Sequence, residues 1–283
     1  MNKNDSIGRA RFIVDMHTHS NNSHDGKCTV AEMAKAAREK GLNGICITDH
    51  CDVMLSDTVD VASKTKCSVN DAKNADNKYG VRVFCGIEIG ETYWNQPVTD
   101  KILSMCSYDA VIGSVHTLDK AGWDISYSQI DFSLYTEAEL YDFFNVYLDN
   151  VNKMLDTLNF DILAHLTCPL RYINGRYKRN VDATRFADKI ETILKRITER
   201  KIALEINTSE IDQGINATMP YDWIIKRYFE LGGELITLGS DAHTTNNIGK
   251  GFDKAFCMLK SMGVEHYYCY ENRIPQRCDV LLP

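Results

Sequence analysis

Most of the eight histidines in this chain stand beside acids in short, widely spaced groups: Asp15-Met16-His17-Thr18-His19, Asp49-His50, Glu88, His116, His165, Glu205-Ile206-Asn207 and Asp241-Ala242-His243. On an extended segment residues two apart face the same side, so His17 and His19 project together, and so do Asp241 and His243. Imidazoles mixed with carboxylates and without thiolates suit Zn, Mn or Fe(II), and argue against Cu(I) or an iron–sulfur cluster. Six such imidazoles brought to one place with several carboxylates would be hard to accommodate unpaired, and divalent ions resolve that difficulty. His266, in GVEHYYCY, has no comparable placement and reads as an ordinary imidazole. His24 lies in the loop Ser23-His24-Asp25-Gly26, where strand parity gives no direction; either it or Asp25 is the candidate ligand there.

The elements that must position these groups are seven β-rich runs at 11–17, 44–49, 82–89, 110–115, 161–165, 202–207 and 235–240. Each is nearly continuously apolar, as expected of strands buried on both faces. Between them, 30–40, 137–158, 183–200, 221–231 and 252–262 carry helical periodicity. Thr136 before Glu137 and Glu139 has the form of an N-cap, while Gly41, Gly232 and Gly263 follow helical runs as C-cap glycines do. Strand and helix alternate throughout, which implies a parallel sheet with helices outside, and seven repeats without a reversal favour a closed barrel. In such a barrel the C-terminal strand ends converge, so residues distant in sequence gather at one mouth. Two long loops remain: 53–79, polar and lysine-rich, expected to hold a surface helix or a mobile segment, and 118–136, with Trp123 and Tyr127, a candidate lid or pocket wall.

With 283 residues, 44% of them hydrophobic, the chain can bury a full core, and 1–283 reads as a single domain. A net charge of −7 supplies no basic field for a polyanion, so nucleic acid is not expected as a partner, although bound metal would add local positive charge. The opening MNKNDSIGRARF has no apolar signal-like core and no run of eighteen apolar residues occurs, so a cytoplasmic protein without membrane contact is expected. Ten cysteines form no C-x-x-C pair, and many sit in apolar runs, which reads as buried reduced thiols. Cys51, directly after His50, is the one tempting exception.

The ordered series His17-x-His19, Asp25-Gly26, Thr48-Asp49-His50, Glu88, His116, His165 and Gly239-Ser240-Asp241-Ala242-His243 resembles the polymerase and histidinol phosphatase (PHP) superfamily, over residues 11 to 265. The segments GSVH, AHLTCPLRY, LEINTS and ELITLGSDAH are similar to its histidinol-phosphate phosphatase type. That resemblance implies an α/β fold, a distorted seven-stranded (β/α)7 TIM-like barrel. It also implies hydrolysis of L-histidinol phosphate to L-histidinol and phosphate, within histidine biosynthesis. Three divalent ions, Zn, Mn or Fe, would be held: one by His17, His19, Glu88 and Asp241, a second by the shared Glu88 with His116 and His165, a third by Asp25, His50 and His243. In this scheme Asp25, six residues after His19, takes the place that His24 might have filled. Asp15 and Asp49 would orient imidazoles from behind.

Two ions sharing a carboxylate can also share a hydroxide, because coordination brings the pKa of water from about 15.7 to about 7. Glu88, Asp241 and His243 are the residues expected nearest the chemistry, with His243 and Asp25 the candidates for protonating the leaving alkoxide. The substrate is expected to be a small phosphorylated molecule. Arg171, six residues after His165, is the candidate to fork onto its phosphate, with Arg176, Lys178 and Arg179 as a basic cluster behind. One departure stands out: where the resembled type carries N-T-S-x-x-R, this chain reads Asn207-Thr208-Ser209-Glu210-Ile211-Asp212. An acid there repels phosphate and could pair with an ammonium, so Asp212 is a candidate substrate contact. Alternatives are the same chemistry on a sugar phosphate or nucleotide, or a non-catalytic metal-binding module.

Overall fold

The apolar runs become strands because the barrel covers both of their faces: every residue of Val14–Thr18, Ala110–Ser114 and Ala203–Asn207 is buried. The computed structural model describes residues 12–56, 59–211 and 214–280. Its strands are β1 (Val14–Thr18), β2 (Gly44–Ile47), β3 (His50–Asp52), β4 (Arg82–Gly90), β5 (Ala110–Ser114), β6 (Ile162–Leu163), β7 (Ala203–Asn207) and β8 (Ile236–Gly239). They pair in parallel in the order β1-β2-β4-β5-β6-β7-β8. β3 continues β2 along β4 in the same register, Gly44 lying opposite Arg82 and His50 opposite Glu88, after a break at Thr48-Asp49. The ring closes between β1 and the end of β8, where Asp241 N donates to His17 O (2.8 Å) and His19 N to Ala242 O (2.9 Å). The result is the expected distorted, nearly closed barrel of seven parallel strands.

The helices are α1 (Val30–Glu39), α2 (Val61–Ala75), α3 (Gln96–Met105), α4 (Glu137–Thr157), α5 (Ala187–Glu199), α6 (Asp222–Glu230) and α7 (Phe252–Ser261). α1 and α4 begin with reciprocal capping boxes, Thr29 with Glu32 and Thr136 with Glu139, which satisfy donors that a helix start leaves open. α5 buries Ile190, Ile193, Leu194 and Ile197, a stripe of i, i+3, i+4, i+7 spacing. Full burial of each such side chain stabilises by about 1.5–3 kcal/mol, so a truncation such as Leu194→Ala would weaken this contact by a similar amount or more.

The polar 53–79 loop contains α2, capped by Asp60 on Ser63 N. α3 was not expected, since it buries only Thr99 and Ile102 and carries little periodic signal. Nor was the terminal hairpin β9 (His266–Glu271) and β10 (Ile274–Asp279). Its turn holds Asn272 and Arg273 at φ 52° and 62°, without the glycine that usually signals such a turn. The hairpin sits under the N-terminal strand ends: Arg273 pairs with Asp161 (2.9 Å), Asn272 N donates to Asp109 (2.9 Å), and Arg82 pairs with Glu271 (2.8 Å). His266 belongs to it, its ring edge-on to Tyr268, far from the strand ends that carry the other histidines. No helix among the described residues is long and apolar enough to cross a membrane.

Candidate metal centre

At the C-terminal mouth, Glu88 is fully buried and stands at the centre of the imidazoles. Its Oε2 lies 2.9 Å from His50 Nδ1, 3.2 Å from His17 Nε2 and 3.5 Å from His19 Nε2; its Oε1 lies 3.0 Å from His165 Nε2 and 3.3 Å from His116 Nε2. Asp241 Oδ1 is 3.2 Å from His19 Nε2 and 3.9 Å from His17 Nε2. At the outer edge Asp25 Oδ2 is 3.0 Å from His243 Nε2 and 3.7 Å from His50 Nε2. The nine residues proposed from sequence as ligands are thus brought together, whereas the His24 side chain is 56% exposed.

Local structure fixes which ring nitrogen faces inward. His17 Nδ1 is 2.6 Å from Glu205 Oε1, and His116 Nδ1 is 3.1 Å from Asp52 Oδ1; a carboxylate only accepts, so Nδ1 carries the proton in both. His243 Nδ1 faces the Asp241 carbonyl at 2.9 Å and is a donor for the same reason. Ser23 Oγ donates to Asp49 and accepts from His50 N, so His19 Nδ1, 3.2 Å away, donates to it as well. With the rings neutral, Nε2 in all four is left with a lone pair aimed at Glu88, Asp241 or Asp25. His17 Nε2, His19 Nε2, His50 Nδ1, His243 Nε2 and Glu88 Oε2 are buried and make no hydrogen bond. Lone pairs converging on carboxylate oxygens repel unless a cation lies between them, and buried polar atoms without partners are costly. The donor set therefore fits divalent ions, and His17, His19 and Asp241, or His50, Glu88 and His116, bring their ligand atoms within 4.8 Å of one another.

The electrostatics are mutual. Burial alone would raise the carboxyl of Glu88, but His17, His50 and His116, when they carry protons, hold it well below the usual range; the protonated histidines around Asp241 do the same there, and bound divalent ions would take the place of those protons. Burial, with His243 and His50 beside it, pushes His19 down to about 3, which keeps it a neutral donor. Three non-glycine residues at the mouth have left-handed backbone, Glu91 (φ 47°), His165 (φ 21°) and Asp241 (φ 53°), and such strain concentrates at functional sites.

Several roles differ from expectation. Asp15 and Asp49 touch no imidazole. Asp15 accepts from the N–H groups of His17, Ser240 and Gly249 and from Ser240 Oγ, tying the two strand ends that carry His17 and Asp241. Asp49 gathers Ser20, Ser23 and Ser68, and reaches His19 and His50 only through Ser23. The imidazole partners are instead Glu205 and Asp52, whose parity with Asn207 and with His50 was a faint signal in the sequence. Glu91, pushed up to about 8 by burial and by Asp52, accepts from His116 N and Thr117 N and sets the backbone of that ligand. Cys51 points into the core on the opposite face from His50, fully buried, its thiol pushed up to about 12 by burial.

A cavity of about 320 Å³ opens above the cluster, with His50, His116, Asp241 and His243 on its floor and Met54, Ile125, Tyr127 and Tyr172 in its walls. The 118–136 loop supplies Ile125 and Tyr127, so it is a pocket wall. Arg171 stands at the rim, Nη1 3.4 Å from Asp241 Oδ2 and Nε 3.1 Å from Glu210 Oε1. Arg176 is not brought into this cavity: it lies over the Tyr172 ring and donates to Ser128 O. Arg179 likewise donates to Phe132 O, so both guanidiniums pin the pocket wall. Asp212 lies outside the described residues.

Residues 15–209 match the PHP domain. The chain is 28% identical over 260 residues to a probable histidinol-phosphatase of Thermotoga maritima, covering 90% of this chain and 94% of that one. It is 29% identical over 267 residues to a probable histidinol-phosphatase of Clostridium acetobutylicum, covering 93% and 98%. The crystal structure of histidinol phosphate phosphatase from Lactococcus lactis, complexed with Zn, L-histidinol and phosphate, has a similar fold, with TM-score 0.74 and 23% identity over 93% of this chain and 98% of that one. Barrel, the histidines and acids at its strand ends and a match over most of its length agree: the chain belongs to the PHP domain family.

Proposed function

We propose that this chain is a metal-dependent phosphoric monoester hydrolase that converts L-histidinol phosphate to L-histidinol and phosphate with three divalent ions. The observation that carries the reading is the set of inward lone pairs around Glu88, open to a cavity with a guanidinium at its rim. Relatives named as histidinol-phosphatases, matched over nine tenths of the chain, support the substrate. Bound ions would supply Lewis acidity and lower the pKa of water to about 7.

His17, His19, Glu88 and Asp241 would hold one ion, Glu88 with His116 and His165 a second, and Asp25, His50 and His243 a third. Glu88 suits the shared role because its two oxygens face different histidines, and His50 presents one nitrogen to Glu88 and the other to Asp25. Arg171 orients the phosphate by its guanidinium edge, and Tyr127 and Tyr172 keep water from the flank of the substrate. Ten unpaired cysteines accord with a cytoplasmic setting.

The test is turnover of histidinol phosphate against sugar phosphates and nucleotides, with Zn or Mn added and metal content measured on the same sample. Histidinol phosphate should have the highest kcat/KM and chelated protein should be inactive. Equal, slow hydrolysis of every ester by chelated and metal-loaded protein would sink the reading; a sugar phosphate or nucleotide leading the panel would move the substrate and keep the chemistry.

A further inference from the structure

Arg171 separates two cavities. On one side is the space above the metal ligands; on the other is a narrow cavity lined by Tyr172, Gly175, Arg176, Glu210 and Gly214. Glu210 reaches it from the second side only, and its Oε1 is 3.1 Å from Arg171 Nε. We infer that Glu210 is a positioning residue for phosphate binding, which holds the guanidinium of Arg171 from behind and turns its Nη edge toward the metal cavity. The inference rests on reading Arg171 as the phosphate contact.

An arginine side chain has much rotational freedom to lose, and a guanidinium already held by one edge loses less of it when an anion binds. Among the described residues two acids touch Arg171, but they are not equivalent. Asp241 also faces His19 and His17, so bound ions compete for its oxygens. Among the described residues Glu210 has no other basic side chain at ion-pair distance, and it is only 6% exposed. Glu210 is therefore the partner that stays with Arg171 whatever binds at the cluster.

The fold builds this contact deliberately close. After β7, Asn207 Oδ1 accepts from Ser209 N and Ile211 N donates to Thr208 O, which turns Glu210 back toward the mouth. The loop then meets the π-helical turn Arg171–Arg176 through two glycines. A Cβ on Gly214 would lie 2.9 Å from Gly175 Cα and 3.0 Å from Glu210 Oε2, so this approach requires a residue without a side chain.

The experiment is calorimetric titration of inorganic phosphate into Zn-loaded protein, with Zn content and Tm recorded for each variant. Glu210→Ala should weaken phosphate binding about tenfold, the size expected for one hydrogen bond to a charged group. Glu210→Gln should weaken it less, because the amide oxygen still accepts from Nε. In turnover the loss should appear in KM, with kcat and Zn content unchanged. On an Arg171→Ala background Glu210→Ala should have no further effect. The inference is overturned if Glu210→Ala binds phosphate within about twofold of wild type, if the loss persists on the Arg171→Ala background, if it follows Zn content, or if Arg171→Ala itself binds phosphate normally. Wild-type protein that binds phosphate yet hydrolyses no monoester would remove the proposed function and leave this inference standing.

Discussion

Replacing Glu205 by glutamine tests whether ring tautomers are set from behind the metal ligands. The side chain is 1% exposed; Oε1 is 2.6 Å from His17 Nδ1, while Oε2 accepts from His165 N at 2.7 Å and from Asn207 Nδ2 at 3.3 Å. Glutamine keeps the shape but brings one acceptor and one donor. With its NH2 toward His165, it meets two donors in a buried site and loses both of their hydrogen bonds, a cost of about 1–3 kcal/mol for each group left unpaired. With its NH2 toward His17, it forces Nδ1 to accept and moves the ring proton to Nε2, the atom that would donate to a metal in the proposed site. Either way Zn affinity should fall roughly 10–100-fold, about 1.4–2.7 kcal/mol. Competition with a chromophoric chelator measures this directly, and a thermal melt in excess chelator checks that the barrel is intact. A Zn affinity within about twofold of wild type would refute the argument that Glu205 sets the tautomer of His17.

Three further outcomes follow from the same geometry. A Cβ at Gly239 would lie 2.2 Å from Glu205 Oε1 and 2.6 Å from His17 Cβ, so Gly239→Ala should displace that pair. The expected cost is about 1–3 kcal/mol of stability together with reduced Zn content, read by denaturant titration and metal analysis. Adding Zn to chelated protein at a hundred times Kd should stabilise it by about 2.7 kcal/mol, roughly 5–10 °C in Tm; an unchanged Tm would count against a site confined to the folded state. Burial raises the Asp161 carboxyl above its ordinary 3.8, against the lowering effect of Arg273 and Val111 N. The folded chain then holds the proton that the unfolded chain releases, so this group's contribution to stability is lost as pH rises from 3.8 through the raised value. Asp161→Asn should remove that part of the pH dependence, and denaturation midpoints of both proteins across the acid range would show a difference that varies with pH.

The placement of the candidate ligands was legible because it depends on two local facts, apolar runs long enough to be parallel strands and polar residues at their C-terminal ends. His17, His50, Glu88, His116, His165 and Asp241 could be assembled from those facts alone, since a closed parallel barrel leaves them only one place to meet. The hairpin Ile274–Asp279 on His266–Glu271 was not legible, because its turn uses Asn272 and Arg273 where glycine would have marked it. α3 escaped for want of a periodic apolar face.

What lay behind the ligands was harder to read than the ligands themselves. Asp15 and Asp49 precede histidines in sequence, yet they tie backbone and serines, while Glu205 and Asp52 reach His17 and His116 from other strands. Arg176 follows Arg171 closely in the chain but is spent on the Ser128 carbonyl, and Glu210, which carried no signal in the sequence, meets Arg171 from the far side. Sequence by itself determined the barrel, the donor types and their gathering at one mouth, because burial pattern and strand polarity are properties of short segments. Only the tertiary structure decided which nitrogen of each ring faces inward and which acid serves which base, because hydrogen-bond partners are chosen by distance and angle between strands and loops far apart in the chain.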